Sequence, residues 1–151
     1  MSWSTIEYGG YFAHAHDTEQ MLFMCLAPAC MISLPKFNEL SWFHDWKNYW
    51  IEHRFTYANG CSDINLPDYL SDTNKVQLFR QFIQQYTRWV ETFGLYVTAE
   101  QLNGFTSTVN DEFFTAPYPT DKLTHFANKV IALLDSDLSH PSLQKIGPES
   151  R

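Results

Sequence analysis

Apolar residues recur at helical spacing in several separate stretches of the chain, and the clearest of these runs from 73 to 93. Within it, apolar side chains three and four positions apart define one continuous helix face. They are Val76, Phe79, Phe82, Ile83, Tyr86, Trp89, Val90 and Phe93. Thr73 is placed to cap the start, and Gly94 stands where helices often end in glycine. This stretch predicts a long amphipathic helix.

Two further stretches, 38–54 and 120–134, repeat this spacing. In 38–54 the apolar positions form a wide arc, which is typical of a helix that packs on more than one side. The arc contains Leu40, Trp42, Phe43, Trp46, Tyr49, Trp50 and His53, opposite a polar stripe of Ser41, Asp45, Asn48 and Glu52. Thr120 can cap the other stretch, so both predict helices.

The apolar run 21–32 has two interpretations. Asp17 and Gln20 have the spacing of a capping box, which indicates a buried helix that begins near Thr18. Pro28 lacks an amide hydrogen and is expected to kink or end that helix. A buried strand over the first half of the run is the alternative, because short apolar runs do not distinguish the two by periodicity.

The stretch 98–113 is a weaker helix candidate. Thr98 and Gln101 again have capping-box spacing, and apolar residues recur at helical steps after them. Gly104 and several β-branched residues argue against one continuous helix. Residues 57–72 are expected to form a loop, since turn-forming residues and Pro67 cluster there.

Four or five helices with short connections predict an all-α fold, a compact bundle in a single domain over residues 1–151. A small N-terminal β element is the alternative to an irregular arm, because Gly9 and Gly10 indicate a turn between aromatic residues. If the fold is mixed, we expect strands at 3–12 and 95–97. Residues 139–151 are polar and predict a C-terminal tail that lies on the surface or frays.

Composition adds two facts: the chain has 12 Phe, 8 Tyr and 5 Trp among 151 residues, and its net charge is −7. Rings in this number can fill a large core or supply binding anchors. An acidic chain without a run of Lys or Arg repels phosphates, which argues against nucleic-acid binding. A basic protein is the natural electrostatic partner, and the charge would steer its approach.

The N-terminal sequence and the cysteines favour a cytoplasmic protein that is not associated with a membrane. The three cysteines form no CxxC pair, which suits a reducing compartment. No basic region precedes an apolar stretch at the start, so no secretory signal is predicted. The run 21–32 is too short to cross a bilayer.

The sharpest local pattern for chemistry is His14-Ala15-His16-Asp17. Two histidines one residue apart can chelate a metal from a strand, so a metal-dependent hydrolase that uses His14 and His16 is one hypothesis. A surface turn leading into an Asp-capped helix is favoured, because the rest of such a ligand set is missing. Nucleophile elbows, zinc-protease motifs and phosphate-binding glycine loops are absent, so we expect no catalytic residue and no cofactor.

The candidate binding residues are aromatic and acidic. Core packing is the favoured interpretation of the helix 38–54, but one edge could carry exposed anchors, and Trp and Tyr are common in interface hot spots. Acids are concentrated in 57–72 and 98–121, and they would form one negative face if these segments converged. The other interpretation is that these acids serve only to keep the protein soluble. The resulting partner-binding candidates are Trp42, Tyr49, Asp63, Asp68, Asp72, Glu100, Asp111 and Glu112.

The small size, the acidity and the stretch Phe37-Asn38-Glu39-Leu40-Ser41-Trp42-Phe43 together resemble bacterial toxin-immunity proteins of the contact-dependent inhibition type. This resemblance implies stoichiometric binding to a toxin domain, often a basic nuclease, with acids covering its active site. The leading hypothesis is therefore a non-enzymatic binding protein that neutralises a basic partner. The alternative from another class is a small-ligand or lipid-binding bundle, with a cavity lined by Trp46, Trp50, Phe82 and Trp89.

Overall fold

The computed structural model describes residues 3–55, 63–106 and 113–146, which form mainly helices together with five short strands. The elements in chain order are β1 (Trp3–Tyr8), β2 (Tyr11–His16), α1 (Asp17–Ile32), α2 (Pro35–Asn38), α3 (Ser41–His53), α4 (Leu66–Tyr69), α5 (Thr73–Glu91), β3 (Tyr96–Val97), α6 (Ala99–Thr106), β4 (Tyr118–Pro119), α7 (Thr120–Asp135) and β5 (Leu143–Lys145). The strands form two small sheets, β1-β2-β5 and β3-β4. The predicted helical character is therefore confirmed, but the two sheets make this a mainly helical domain of mixed composition rather than an all-α bundle.

The predicted N-terminal β element is an antiparallel hairpin of β1 and β2. Gly9 and Gly10 connect the strands with φ values of 61° and 87°, a conformation that tight hairpin turns require and that glycine adopts without strain. Side chains alternate along the strands, so that Ile6, Ala13 and Ala15 are buried. The sheet thus covers one side of the helical body.

The third strand of this sheet lies in the segment predicted as a polar tail. β5 pairs with β2 in antiparallel fashion, with Ala13 opposite Leu143. Leu143 is buried, which explains why the segment is held against the sheet. A three-residue strand with one apolar residue has too little periodicity to be predicted, and residues 147–151 lie outside the described part of the chain.

α1 is the central helix, and its neighbours include α2, α3, α6 and α7. Almost every side chain between Asp17 and Met31 is buried, as expected for a helix that is apolar on all sides. The helix interpretation of 21–32 is confirmed and the strand alternative is wrong. Pro28 lies inside α1 and does not end it.

Aromatic rings from α1, α3 and α5 make up much of the core. Phe43 packs edge-on against Phe82 with ring centroids 5.0 Å apart, and Phe23 lies 5.3 Å from Trp50. Trp46 and Trp50 are fully buried, and both indole N–H groups donate to the backbone oxygen of Ile64, at 2.7 and 3.0 Å. Burial of a tryptophan requires such a partner for its polar end. Core packing is therefore the role of these two rings.

The long helix predicted from 73–93 is confirmed as α5, and its cap is Asp72 rather than Thr73, since the Asp72 carboxylate accepts from the Lys75 amide at 2.9 Å. Gly94 follows with φ 83°. The capping box of Thr98 and Gln101 is confirmed at the start of α6. The structure describes this helix from Ala99 to Thr106, and residues 107–112 lie outside the described part.

The remaining predictions for the chain have mixed outcomes. The stretch 95–97 contains β3, which pairs with β4, and 120–134 is helical as α7. The predicted loop 57–72 contains the short helix α4, while residues 56–62 lie outside the described part. Among the described helices, none combines the length and apolar character needed to cross a membrane.

Candidate functional sites

The two predicted aromatic anchors are half-buried and occupy the same side of α3. The Trp42 ring stacks on Phe43 at 5.2 Å, and the Lys75 ammonium lies 5.5 Å from the Trp42 ring centroid. The Tyr49 hydroxyl donates to the backbone oxygen of Asp63 at 3.0 Å. Both rings thus remain accessible at one edge while their bodies pack on neighbouring elements.

Tyr69 is, after Tyr49, the second half-buried tyrosine of this surface, and carboxylates from two segments lie near it. Burial raises the pKa of the Tyr69 phenol, and the nearby carboxylates of Asp45, Asp68 and Glu52 raise it further. Tyr69 stacks on Trp46 with ring centroids 5.3 Å apart and lies 6.0 Å from Tyr49. Asp45 and Glu52 are exposed on the polar stripe of α3, as predicted, but the sequence does not indicate that this stripe borders Tyr69.

The turn that carries Asp63 and Asp68 is fixed by hydrogen bonds. Asp63 Oδ1 accepts from the backbone amide of Asn65 at 2.9 Å, and Asp68 Oδ2 accepts from the Asn65 side chain at 3.0 Å. Between them, Ile64 is tied to Trp46 and Trp50 and donates its amide to Gln20 Oε1 at 3.1 Å. The two carboxylates are therefore presented from an ordered surface.

We call Asp45, Glu52, Asp63 and Asp68, with Tyr49 and Tyr69 between them, the acidic face. All four carboxylates are exposed. Within residues 3–55, 63–106 and 113–146, ion pairs join Arg80 to Asp135 and Lys129 to Glu19, and none involves these four acids. The charge of this face is thus not neutralised by the described part of the protein.

The other acidic candidates have different positions. Asp72 caps α5 as described, so its carboxylate has a structural role. Glu100 is exposed on the first turn of α6, a helix that packs on α1 and, through Phe105, on the Trp89 ring of α5. Asp111 and Glu112 lie outside the described residues.

Among the described residues, 98–121 contacts Arg54 and Phe55, which precede 57–72, and its convergence with 57–72 stays a prediction. Arg54 Nη2 donates to the backbone oxygen of Thr106 at 2.9 Å, and the rings of Phe55 and Phe113 are 4.8 Å apart. The acids that join 63–68 come instead from α3. The sequence predicted Tyr49 and two of the four carboxylates of the acidic face, but neither Tyr69 nor the combination.

A separate cleft of about 770 Å³ lies between β2, the first turn of α1, α7 and residues 141–144. Its polar lining residues include His14, His16, Glu19, Lys122, His125 and Lys129. Both predicted histidines therefore border one concave site. The surface-turn interpretation of this motif is wrong, because His14 and His16 lie in β2, where a two-residue step returns to the same side of the strand.

The floor of the cleft contains a buried ion pair. Lys129 is only 4% exposed, and its ammonium donates to the backbone oxygen of His14 at 2.8 Å. Glu19 Oε2 lies 3.8 Å from the same ammonium, while Glu19 Oε1 accepts from the His16 amide at 3.1 Å. Lys129 was missed, although a lysine between the apolar positions Phe126 and Leu133 of one helix face is a recognisable signal.

The cleft does not form a metal centre with its histidines. Among the described residues, no group of three or more His, Cys, Asp or Glu side chains is arranged to hold a metal ion. The ring of His125 lies beside that of His140, with ring centroids 6.4 Å apart.

In the regions described, rings pack closely around Trp46, Trp50 and Phe82, and both thiols are buried. The Trp46 and Trp50 rings are 4.7 Å apart, and Phe82 packs on Phe43, so rings fill the space where a ligand cavity would have to lie. Burial raises the pKa of Cys25 and of Cys30 to about 12, so both are protonated at neutral pH. Cys61 lies outside the described residues.

Comparison with protein-family models, with curated proteins and with solved structures finds no match to this chain.

Proposed function

We propose that this protein is a non-enzymatic binding protein of the cytoplasm that neutralises a basic protein partner through its acidic face, as a bacterial toxin-immunity protein neutralises its cognate toxin. The observation that carries the proposal is the acidic face itself. Four exposed carboxylates from two segments meet around Tyr49 and Tyr69, and none has a cation within ion-pair distance in the described part of the chain.

Two physical arguments support a protein partner for this surface. Like charges held close together repel, and a basic partner relieves that repulsion when it binds. Tyrosine provides a rigid, amphipathic contact area and is common among the residues that dominate binding energy. The turn with Asp63 is anchored to buried tryptophans, so little ordering would be needed on binding.

The test is binding to the toxin-like domain encoded by the adjacent reading frame. We expect a dissociation constant of about 10 nM or tighter by calorimetry. Stopped-flow association should slow by about tenfold or more between about 50 and about 500 mM NaCl, whereas dissociation should change little. Failure to bind any such neighbouring product would contradict the proposal.

A matched pair of variants tests the face itself. Asp45→Asn/Asp68→Asn removes two charges from the acidic face, and Glu39→Gln/Glu91→Gln removes two exposed charges from the end of α2 and from α5. We expect the first variant to lower the association rate by about tenfold and the second by about twofold or less. Equal effects of both variants would show that net charge alone is responsible.

A further inference from the structure

The cleft beside β2 is lined by two lysines, two carboxylates and three histidines, so it lacks the excess of acids of a protein whose net charge is −7. Three of the chain's six histidines, His14, His16 and His125, line it together with Lys122 and Lys129. It shares no residue with the acidic face. Any ligand of the cleft is therefore recognised by different chemistry from that of the proposed protein partner.

Lys129 at the floor is the strongest indication of what the cleft binds. Its ammonium has three N–H donors, and in the described part of the chain one acceptor, His14 O at 2.8 Å, lies within hydrogen-bond distance. Glu19 Oε2 at 3.8 Å balances charge but is too distant for a hydrogen bond. A buried ammonium is stable when its donors are paired, so an oxygen atom of a ligand would complete its coordination.

The surrounding backbone adds to this preference. α1 and α7, each of 16 residues, both begin at the cleft, where Thr18 and Asp121 line it. The N-terminal ends of helices carry partial positive charge and favour anions. The carboxylate of Glu19 is offset by Lys129, which leaves Asp121 at the rim as the opposing charge among the lining residues.

We propose that this cleft binds a small organic oxyanion, with a phosphate or carboxylate oxygen at Lys129 Nζ. Lys122 and His125 are exposed at the rim, where they can contact the same anionic group. The half-exposed ring of Tyr118 and Pro141 provide contact for the uncharged body of the ligand. A volume of about 770 Å³ is typical of clefts that take small molecules.

The experiment is an NMR titration of the ¹⁵N-labelled protein with ribose 5-phosphate, with succinate and with uncharged ribose, at constant ionic strength set by NaCl. We expect saturable shifts of the amide signals of Thr18, Glu19 and Lys122 with at least one of the two anions, at a dissociation constant of about 1 mM or tighter. Saturation by ribose 5-phosphate alone assigns phosphate, and saturation by succinate alone assigns carboxylate. No saturable shift with either anion, or equal shifts with ribose, overturns the proposal.

Variants separate binding at Lys129 from general electrostatics. Lys122→Met should weaken binding about threefold to tenfold, and Glu19→Gln/Lys129→Met, which removes the buried pair without leaving a lone charge, should weaken it by more than about tenfold. Lys145→Ala removes the same charge as Lys122→Met from β5 outside the cleft and should change affinity by less than about twofold. Equal losses in all three variants would overturn the assignment.

Discussion

Removal of the Lys129 ammonium should destabilise the protein strongly, and the structure allows the size of the effect to be calculated. The side chains of Lys129 and Glu19 are 5% and 10% exposed, and their charges are 3.8 Å apart. At an effective dielectric constant of about 20, this separation corresponds to an attraction of about 4 kcal/mol. Lys129→Met keeps the apolar stem of the side chain but leaves the Glu19 carboxylate buried without its partner. We expect a loss of about 3 to 4 kcal/mol in the free energy of unfolding.

The double variant should behave in the opposite way. Glu19→Gln/Lys129→Met replaces the ion pair by neutral groups, and the amide oxygen that this change introduces can still accept from the backbone N–H of His16. Its stability should therefore return to within about 1.5 kcal/mol of the wild-type value, because the cost of an unpaired buried charge is gone. Lys122→Met, which changes an exposed lysine of the same helix, should alter stability by less than about 0.5 kcal/mol.

Urea denaturation followed by circular dichroism measures all of these variants on one scale. If the free energy of unfolding of Lys129→Met lies within about 1 kcal/mol of the wild-type value, this account of the ion pair is refuted. The charge of Glu19 would then be adequately solvated without Lys129. A double variant as unstable as Lys129→Met would refute it too, because the loss would then come from packing rather than from charge.

Three further outcomes are expected elsewhere in the chain. Phe43→Ala should lower the free energy of unfolding by about 4 kcal/mol in urea denaturation, because Phe43 is fully buried among other rings. Phe113→Ala, which changes an exposed ring, should lower it by less than about 1 kcal/mol. A similar loss for both variants would contradict this account of the core. In the same assay, Asp72→Ala should lower the free energy of unfolding by about 1 kcal/mol. Asp72→Asn should lower it much less, because asparagine can still cap α5. Equal losses for the two variants would argue against the capping role. Burial raises the pKa of Cys25 and of Cys30 to about 12, so their thiols should react slowly in the folded protein. In a Cys61→Ser background at about pH 8, we expect a thiol reagent to react roughly a thousandfold more slowly with the native protein than with the protein unfolded in urea. Rapid reaction of the native protein would be inconsistent with the burial of these thiols.

The helices were predictable because their periodicity is strong and their caps are local. α5 has an apolar face along its whole length, and Thr98 with Gln101 forms a capping box that depends only on residues three apart. The N-terminal hairpin was open to prediction for the same reason, since two glycines with positive φ define its turn. β5 could not be predicted, because its pairing with β2 depends on contacts between residues about 130 positions apart in the chain.

The candidate sites were less predictable than the helices, because each one depends on convergence in space. Asp63 and Asp68 are predicted as binding residues from the sequence, whereas Asp45 and Glu52, although placed correctly on the polar stripe of α3, meet them only through the fold around Tyr69. The cleft shows the same difficulty. His14 and His16 were recognised as a pair, whereas Lys129 meets them only through the packing of α7 on the sheet.

The two indole hydrogen bonds to Ile64 link the stability of the core to the geometry of the acidic face, on which the proposed partner binding depends. Any change that lets Trp46 or Trp50 shift also releases the backbone between Asp63 and Asp68. If the proposed function holds, substitutions in the interior should therefore weaken binding of the partner before they disrupt most of the helical structure. Natural variation at the ring positions and at the surface carboxylates should for that reason be correlated rather than independent.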